Sequence, residues 1–191
     1  MRENILEAAR RRFQRFGPRK TTMEEVAREA GCSRATVYSH FPSKEDLYGR
    51  LLAADADSFI LEADAILETE AAPRQQLRAI VELTRTTYER NHVLRRAVAG
   101  DNEMTLEPVA RAFTSEQETR VIDLLTRILE RGVSEGSIRP LDPARVAYLI
   151  FHLGNFLIAR ETAGVGDYPF DEIVTLLDEV FAKGIAEGSG L

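Results

Sequence analysis

The sequence predicts an all-α protein, and three observations predict it. Apolar residues recur at spacings of three and four along most of the chain, the stripe of a helix buried on one side. No segment alternates convincingly between apolar and polar residues, so no strand is expected. Breaks at Gly17-Pro18, Gly31-Cys32, Pro42, Pro73, Gly100-Asp101, Thr114-Ser115, Gly132 through Pro140 and Gly164-Val165-Gly166 cut the chain into pieces of helical length.

The elements follow in order. Ile5, Leu6, Ala9, Phe13 and Phe16 make one apolar stripe on a first helix that Gly17-Pro18 ends. Thr21 or Thr22 caps a second, with Glu24 or Glu25 as the reciprocal partner of a capping box, and Met23, Val26, Ala27 and Ala30 form its inner face. Ser33 caps a third, which keeps Val37 and Phe41 inward and stops at Pro42. Ser43 opens a long helix from Lys44 to about Ala71. Further helices are expected at 74–90, 92–100, 104–113, 116–131, 143–160 and 171–183, the one at 143 started by the Asp142 cap and Pro143 at its first position. A short Gly/Ser tail closes the chain.

Met23 to Pro42 carries the spacing of a helix-turn-helix. Two short helices crossing steeply need a small residue, a chain reversal and a branched apolar plug. Ala27, Gly31 and Val37 stand at those three points, and glycine takes positive φ without strain. The polar side chains of Arg34, Thr36, Ser39 and His40 are then left for something outside the fold, for which the DNA major groove is the best fit.

Charge is distributed in the same sense. Of 25 Lys/Arg and 31 Asp/Glu, residues 1–50 hold 11 and 7, net +4, leaving 14 and 24, net −10, for the rest. The overall −6 speaks weakly against nucleic acid. Screening over about 8 Å makes the local sign the one a phosphate feels. A solvated face accounts for Arg10, Arg11, Arg12 and Arg15 by themselves. With 44% hydrophobic and 29% charged residues in 191, the chain can bury a sizeable core. No signal-like segment or apolar run of about 20 residues occurs, so a cytoplasmic protein that does not enter membranes is expected. The single cysteine, Cys32, has no Cys/His companions for a metal site and is expected to pack in the turn. No serine elbow, phosphate loop or HExxH appears around His92, His152 or elsewhere, so neither an enzyme nor a cofactor is expected.

The stretches ILEAARRRFQRFG, TTMEEVAREAG and CSRATVYSHFPSKEDLYGRLL, between Ile5 and Leu52, resemble the DNA-binding domain of the tetracycline-repressor (TetR) family of bacterial transcription regulators. GSIRPLDPARVAYLIFHLGN, within Gly136 to Phe181, is similar to the family's entry into its two dimerising helices. The resemblance implies a helix-turn-helix domain at 1–47, a helical ligand-binding and dimerisation domain at 48–185 and a tail at 186–191. It assigns the third helix to the major groove. Arg34 leads as base reader, its fork matching guanine O6 and N7. Ala35 and the Thr36 methyl suit a thymine methyl, Tyr38 and His40 suit phosphates, and Ser39 lies on the same face. Thr21, Thr22 and Lys44 are expected to hold the DNA backbone from helix starts.

In the larger segment, Tyr148, Phe151, Asn155, Ile158, Ile173, Leu177, Val180 and Phe181 recur at helical spacing, with Gly154 permitting close approach. They are expected to form a four-helix interface between two copies, or in part an internal core. Asp55, Phe59, Tyr88, His92, Arg95, Met104, Phe113 and Asn155 combine aromatic bulk with polar handles, as small-molecule pockets do. Arg90, His92, Arg95 and Arg96 suit an anionic ligand or a basic solvated face. The expectation is a homodimeric repressor that binds a palindromic double-stranded operator and is released by an unknown small-molecule effector. The alternative is a helical adaptor whose larger domain docks another protein, with DNA contact secondary.

Overall fold

The computed structural model describes residues 1–99, 105–162, 164, 169, 172, 173, 175, 176 and 179. Among them the order is α1 (Arg2–Phe16), α2 (Met23–Glu29), α3 (Arg34–His40), α4 (Lys44–Leu67), α5 (Pro73–Arg90), α6 (His92–Val98), α7 (Glu107–Ser134) and α8 (Pro143–Thr162), with no strand. Residues 172, 173, 175, 176 and 179 are also helical, where the Pro169 carbonyl accepts from the amides of Glu172 and Ile173.

The described residues cluster into two units, one of Met1–Asp57 with Tyr88–Glu116, the other of Ser58–Thr87 with the described part of Gln117–Leu191. In the first, Ile5, Ala8, Ala9 and Phe13 of α1 meet Val26 and Ala27 of α2, Val37 of α3, and Leu47, Tyr48, Leu51 and Leu52 of α4. Val93, Leu94 and Ala97 of α6 and Ala110 and Phe113 of α7 close the same core. Val37 is fully buried, which at about 1.5–3 kcal/mol for such a side chain makes it the main anchor of α3. The second core joins Ala63, Ile80, Leu124, Leu125, Ile128, Leu129, Ile138 and Ala147.

Three of the boundaries that differ from the sequence expectation do so for a physical reason. Helix α4 stops at Leu67 rather than near Ala71, because the buried side chain of Gln76 on α5 donates to the carbonyls of Ile66 (2.9 Å), Leu67 (3.1 Å) and Thr69 (3.2 Å). Those acceptors would otherwise serve another helical turn. Helix α7 runs unbroken through Thr114-Ser115, since the Thr114 hydroxyl bonds back to the Arg111 carbonyl (3.0 Å) and leaves the ladder intact. It also runs past Gly132. That glycine serves space, for a Cβ there would stand 2.4 Å from Ile138 Cδ1 and 3.2 Å from Pro73 Cβ. The reversal falls at Gly136, with φ 72°, inside the expected break. No helix of the described residues is long and apolar enough to cross a membrane.

Candidate nucleic-acid interface

The helix-turn-helix is assembled by local chemistry. Thr22 caps α2 by accepting from the Glu25 amide, while the Thr22 amide donates to Glu25 Oε2 (2.8 Å), a complete capping box. The Thr22 amide, first, and then Arg12, whose Nη2 lies 2.7 Å from Glu25 Oε1, hold the Glu25 carboxyl below its ordinary value. Gly31 adopts φ 65° in the turn, and a Cβ there would touch nothing within 4 Å, so the backbone rather than space demands glycine. Cys32 is partly buried against the core, with its amide donating to the Ala27 carbonyl. Ser33 Oγ then caps α3 by accepting from the Thr36 amide at 3.0 Å.

With Val37 locked inward, the opposite side of α3 is open. Arg34, Ala35, Tyr38, Ser39 and His40 are exposed and Thr36 partly so. The Arg34 side chain is 63% exposed, pairs through Nη1 with Glu24 Oε1 at 2.8 Å, and lies 5.3 Å from the centre of the Tyr38 ring. Ser39 donates to the Thr36 carbonyl (2.8 Å), and Thr36 Oγ1 shares a hydrogen bond with Ser33 Oγ (2.8 Å). Two of the backbone-clamp residues are engaged otherwise than expected. Thr21 is corrected: it is fully buried and its hydroxyl donates to the Gly17 carbonyl (2.9 Å), so it braces the α1–α2 loop and presents nothing to a phosphate. Thr22 is exposed, but its hydroxyl and amide serve the capping box. Lys44 Nζ donates to the carbonyls of Arg19 (3.1 Å) and Thr21 (3.0 Å), and an ammonium carries a third donor beyond these two.

Arg10 and Arg12 of α1 are partly buried and paired, while Arg11 and Arg15 stay exposed. Arg11 pairs with Glu29 (2.9 Å), Arg12 with Glu25, and Arg10 Nη1 lies 2.5 Å from Asp55 Oδ1 on α4. Asp55 is thereby corrected from a ligand contact to a joint. Its side chain is 8% exposed, and its other oxygen accepts from Asn91 Nδ2 at 2.5 Å. Asn91 in turn caps α6 by accepting from the Leu94 amide (3.0 Å).

The other ligand and interface residues separate by burial. Phe113 is buried in the first cluster, while His92 is exposed at the start of α6. Tyr88 is partly buried, and burial pushes its phenol up, so it stays a neutral hydrogen-bond donor. Arg95, Asn155 and Phe59 are partly buried, Phe59 against the second core. Met104, Leu177, Val180 and Phe181 lie outside the described residues, as does the side chain of Ile158, and Ile173 is partly buried. On α8, Phe151 is partly buried against the second core, the internal packing expected beside the interface. Gly154 lies on that same inner side, two helical turns after the buried Ala147, and a Cβ there would meet none of the described residues within 4 Å. The outer face is Tyr148 (55% exposed), Leu149 (53%) and Phe156 (57%), with His152 between them, its ring 4.1 Å from that of Tyr148 and its Nε2 3.3 Å from Glu118. Leu149 and Phe156 were absent from the sequence-derived interface. Their spacing from Tyr148 and His152 is the signal that would have found them.

Against this geometry, a model described as bacterial regulatory proteins of the tetR family matches residues 5–51, and one described as the tetracyclin repressor-like C-terminal domain matches residues 73–164. The chain is 30% identical to the nucleoid occlusion factor SlmA of Sodalis glossinidius over 161 residues, which covers 83% of this chain and 81% of that protein. The chain belongs to the TetR family. It is 25% identical to the HTH-type transcriptional regulator YhgD of Bacillus subtilis over 183 residues, 95% of each chain. Among solved structures, the fold is shared with the regulator FadR of Bacillus subtilis in complex with stearoyl-CoA (TM-score 0.78, 20% identity, covering 97% of this chain and 100% of that one). It is shared equally with a transcriptional regulator of Saccharomonospora viridis in complex with choline (TM-score 0.79, 24% identity, 98% of each chain). This TetR-family protein is a DNA-binding transcriptional regulator, and the family and these neighbours are regulators rather than enzymes.

Proposed function

We propose that the protein is a ligand-responsive repressor that binds a palindromic operator as a homodimer, with α3 in the major groove. The observation that carries this is the bare face of α3, where Arg34, Ala35, Thr36, Tyr38, Ser39 and His40 stand outward from a helix fixed by Val37 and the Ser33 cap. Arg34 reads a guanine edge, Ala35 and Thr36 lie toward thymine methyls, and Tyr38, His40 and the third donor of Lys44 approach phosphates. The apolar outer face of α8 supports pairing with a second copy, since Tyr148, Leu149 and Phe156 leave more contiguous hydrocarbon in water than scattered surface residues do. Such a pair places two α3 helices in successive major grooves, about 34–36 Å apart.

An effector bound in the larger domain acts by preferring one separation of the two α3 helices over another, because a ligand indifferent between the two shifts nothing. Two regulators of the same fold, in complex with stearoyl-CoA and with choline, support a small-molecule effector. Helix α4, which contributes residues to both units, is the transmitting element. The second reading is a helical adaptor whose larger domain docks another protein, with DNA contact secondary, and the likeness to nucleoid occlusion factors supports it. The test is selection of duplexes from a random pool with the purified protein, together with its mass in solution. An enriched palindrome and a mass of two chains are expected. A pool that stays random overturns the operator, and a monomer bound to DNA overturns the paired arrangement.

A further inference from the structure

We infer that Glu24 is a specificity-determining positioning residue, a buttress that holds the Arg34 guanidinium in the pose that reads a base. The inference rests on Arg34 being the base reader, and the experiment below fails differently for each. Glu24 stands in the first turn of α2 and Arg34 at the start of α3, so their 2.8 Å contact crosses the turn of the helix-turn-helix and lies on its exposed face. Both side chains remain substantially in water, 63% for Arg34 and 44% for Glu24. A surface ion pair of this kind contributes little to stability. Its value lies elsewhere.

An arginine offers five donors in a planar fork. Glu24 engages Nη1, and the Tyr38 ring lies 5.3 Å from the guanidinium carbon one turn along α3. Nε and Nη2 remain as a parallel pair, the geometry that matches guanine O6 and N7. An unbraced arginine on an exposed short helix samples many rotamers and meets any acceptor, phosphates included. Braced from α2, it presents one edge in one direction, so less freedom is lost on reading a base and less is gained on meeting a phosphate. The same carboxylate is repelled by every phosphate nearby, which lowers affinity for all duplexes at low salt. Glu24 therefore acts in two separable ways: its acceptor oxygen orients Arg34, and its charge disfavours indiscriminate binding.

The experiment measures duplex binding by fluorescence anisotropy at low and moderate salt. The duplexes are the one enriched from a random pool, the same duplex with the Arg34-read pair changed, and a scrambled sequence. The proteins are the native chain, Glu24→Ala, Glu24→Gln, Arg34→Ala and Arg34→Ala with Glu24→Ala, all checked for helix content. Glu24→Ala is expected to lower affinity for the enriched duplex by about threefold and raise it for the scrambled one by a similar factor, within the range of one surface pair. Glu24→Gln keeps an acceptor oxygen, so base preference survives in part while scrambled-duplex affinity rises as in the alanine variant. In the Arg34→Ala background, Glu24→Ala is expected to leave base preference unchanged. Equal gains on all duplexes with base preference intact would show a merely repulsive charge and overturn the buttress while Arg34 stands. A base preference unaltered by Arg34→Ala overturns both.

Discussion

Helices α3 and α8 each leave one face uncovered, and the two faces have opposite chemistry. On α3 the outward residues are polar or small around Arg34, and the starts of α2 and α3 are each capped by a side chain of their own. On α8 the outward residues are Tyr148, Leu149 and Phe156, with hydrocarbon in water and a single histidine between. Water tolerates the first face without cost and is displaced from it only by a surface that offers matching acceptors and charge. It is expelled from the second by any apolar surface of fitting shape. One face suits a partner rich in acceptors and negative charge, the other an apolar surface.

The most severe way to break this comparison is to place charge on the apolar face. Leu149→Glu with Phe156→Glu, four unpaired carboxylates across a symmetric pair, is expected to give a monomer in sedimentation and to cost operator affinity at least about 100-fold, with the helix content kept. Removing the reading arginine is next. Arg34→Ala is expected to lower discrimination at one base pair per half-site by about 1–3 kcal/mol, read as relaxed preference at that position, with association state unchanged. Smaller again is Ser33→Ala, which deletes the α3 cap and is expected to cost about 1 kcal/mol of stability in denaturant titration. The smallest effect sharpens the capping box. Glu25 titrates below its ordinary 4.5 in the folded protein, so its contribution is complete above that pH and is lost as pH falls through the folded value. The stability difference between the native chain and Glu25→Gln should therefore be constant at neutral pH and shrink in acid, as followed by thermal melts from pH 7 downward.

Local chemistry was legible in the sequence and distant chemistry was not. The caps at Thr22, Ser33, Ser43 and Asp142 were readable because a cap and its amide lie within one turn of each other. Gly31 was readable because a reversal between two short apolar stripes leaves few other residues for it. Gln76 was not, since nothing near it in the chain says that it will finish α4. Asp55 looked like a polar handle on a long helix because Arg10 and Asn91, its partners, stand far off in the sequence. On α8 the periodicity did not separate the two faces. The helix is apolar around most of its girth, with Ala147, Ile150 and Phe151 turned inward and Tyr148, Leu149 and Phe156 outward, so spacing alone chose a stripe that mixes both sides.

The joint at Asp55 has a mechanical consequence. A carboxylate with so little water around it and two short bonds, one to α1 and one to the cap of α6, has no comfortable halfway position. Parting Arg10 leaves a poorly hydrated carboxylate with only the Asn91 amide, and parting Asn91 leaves one of its oxygens without that donor, so either displacement costs free energy. Arg10, Asp55 and Asn91 thus act as a rivet through α1, α4 and the start of α6 that resists displacement of any one of them against the others.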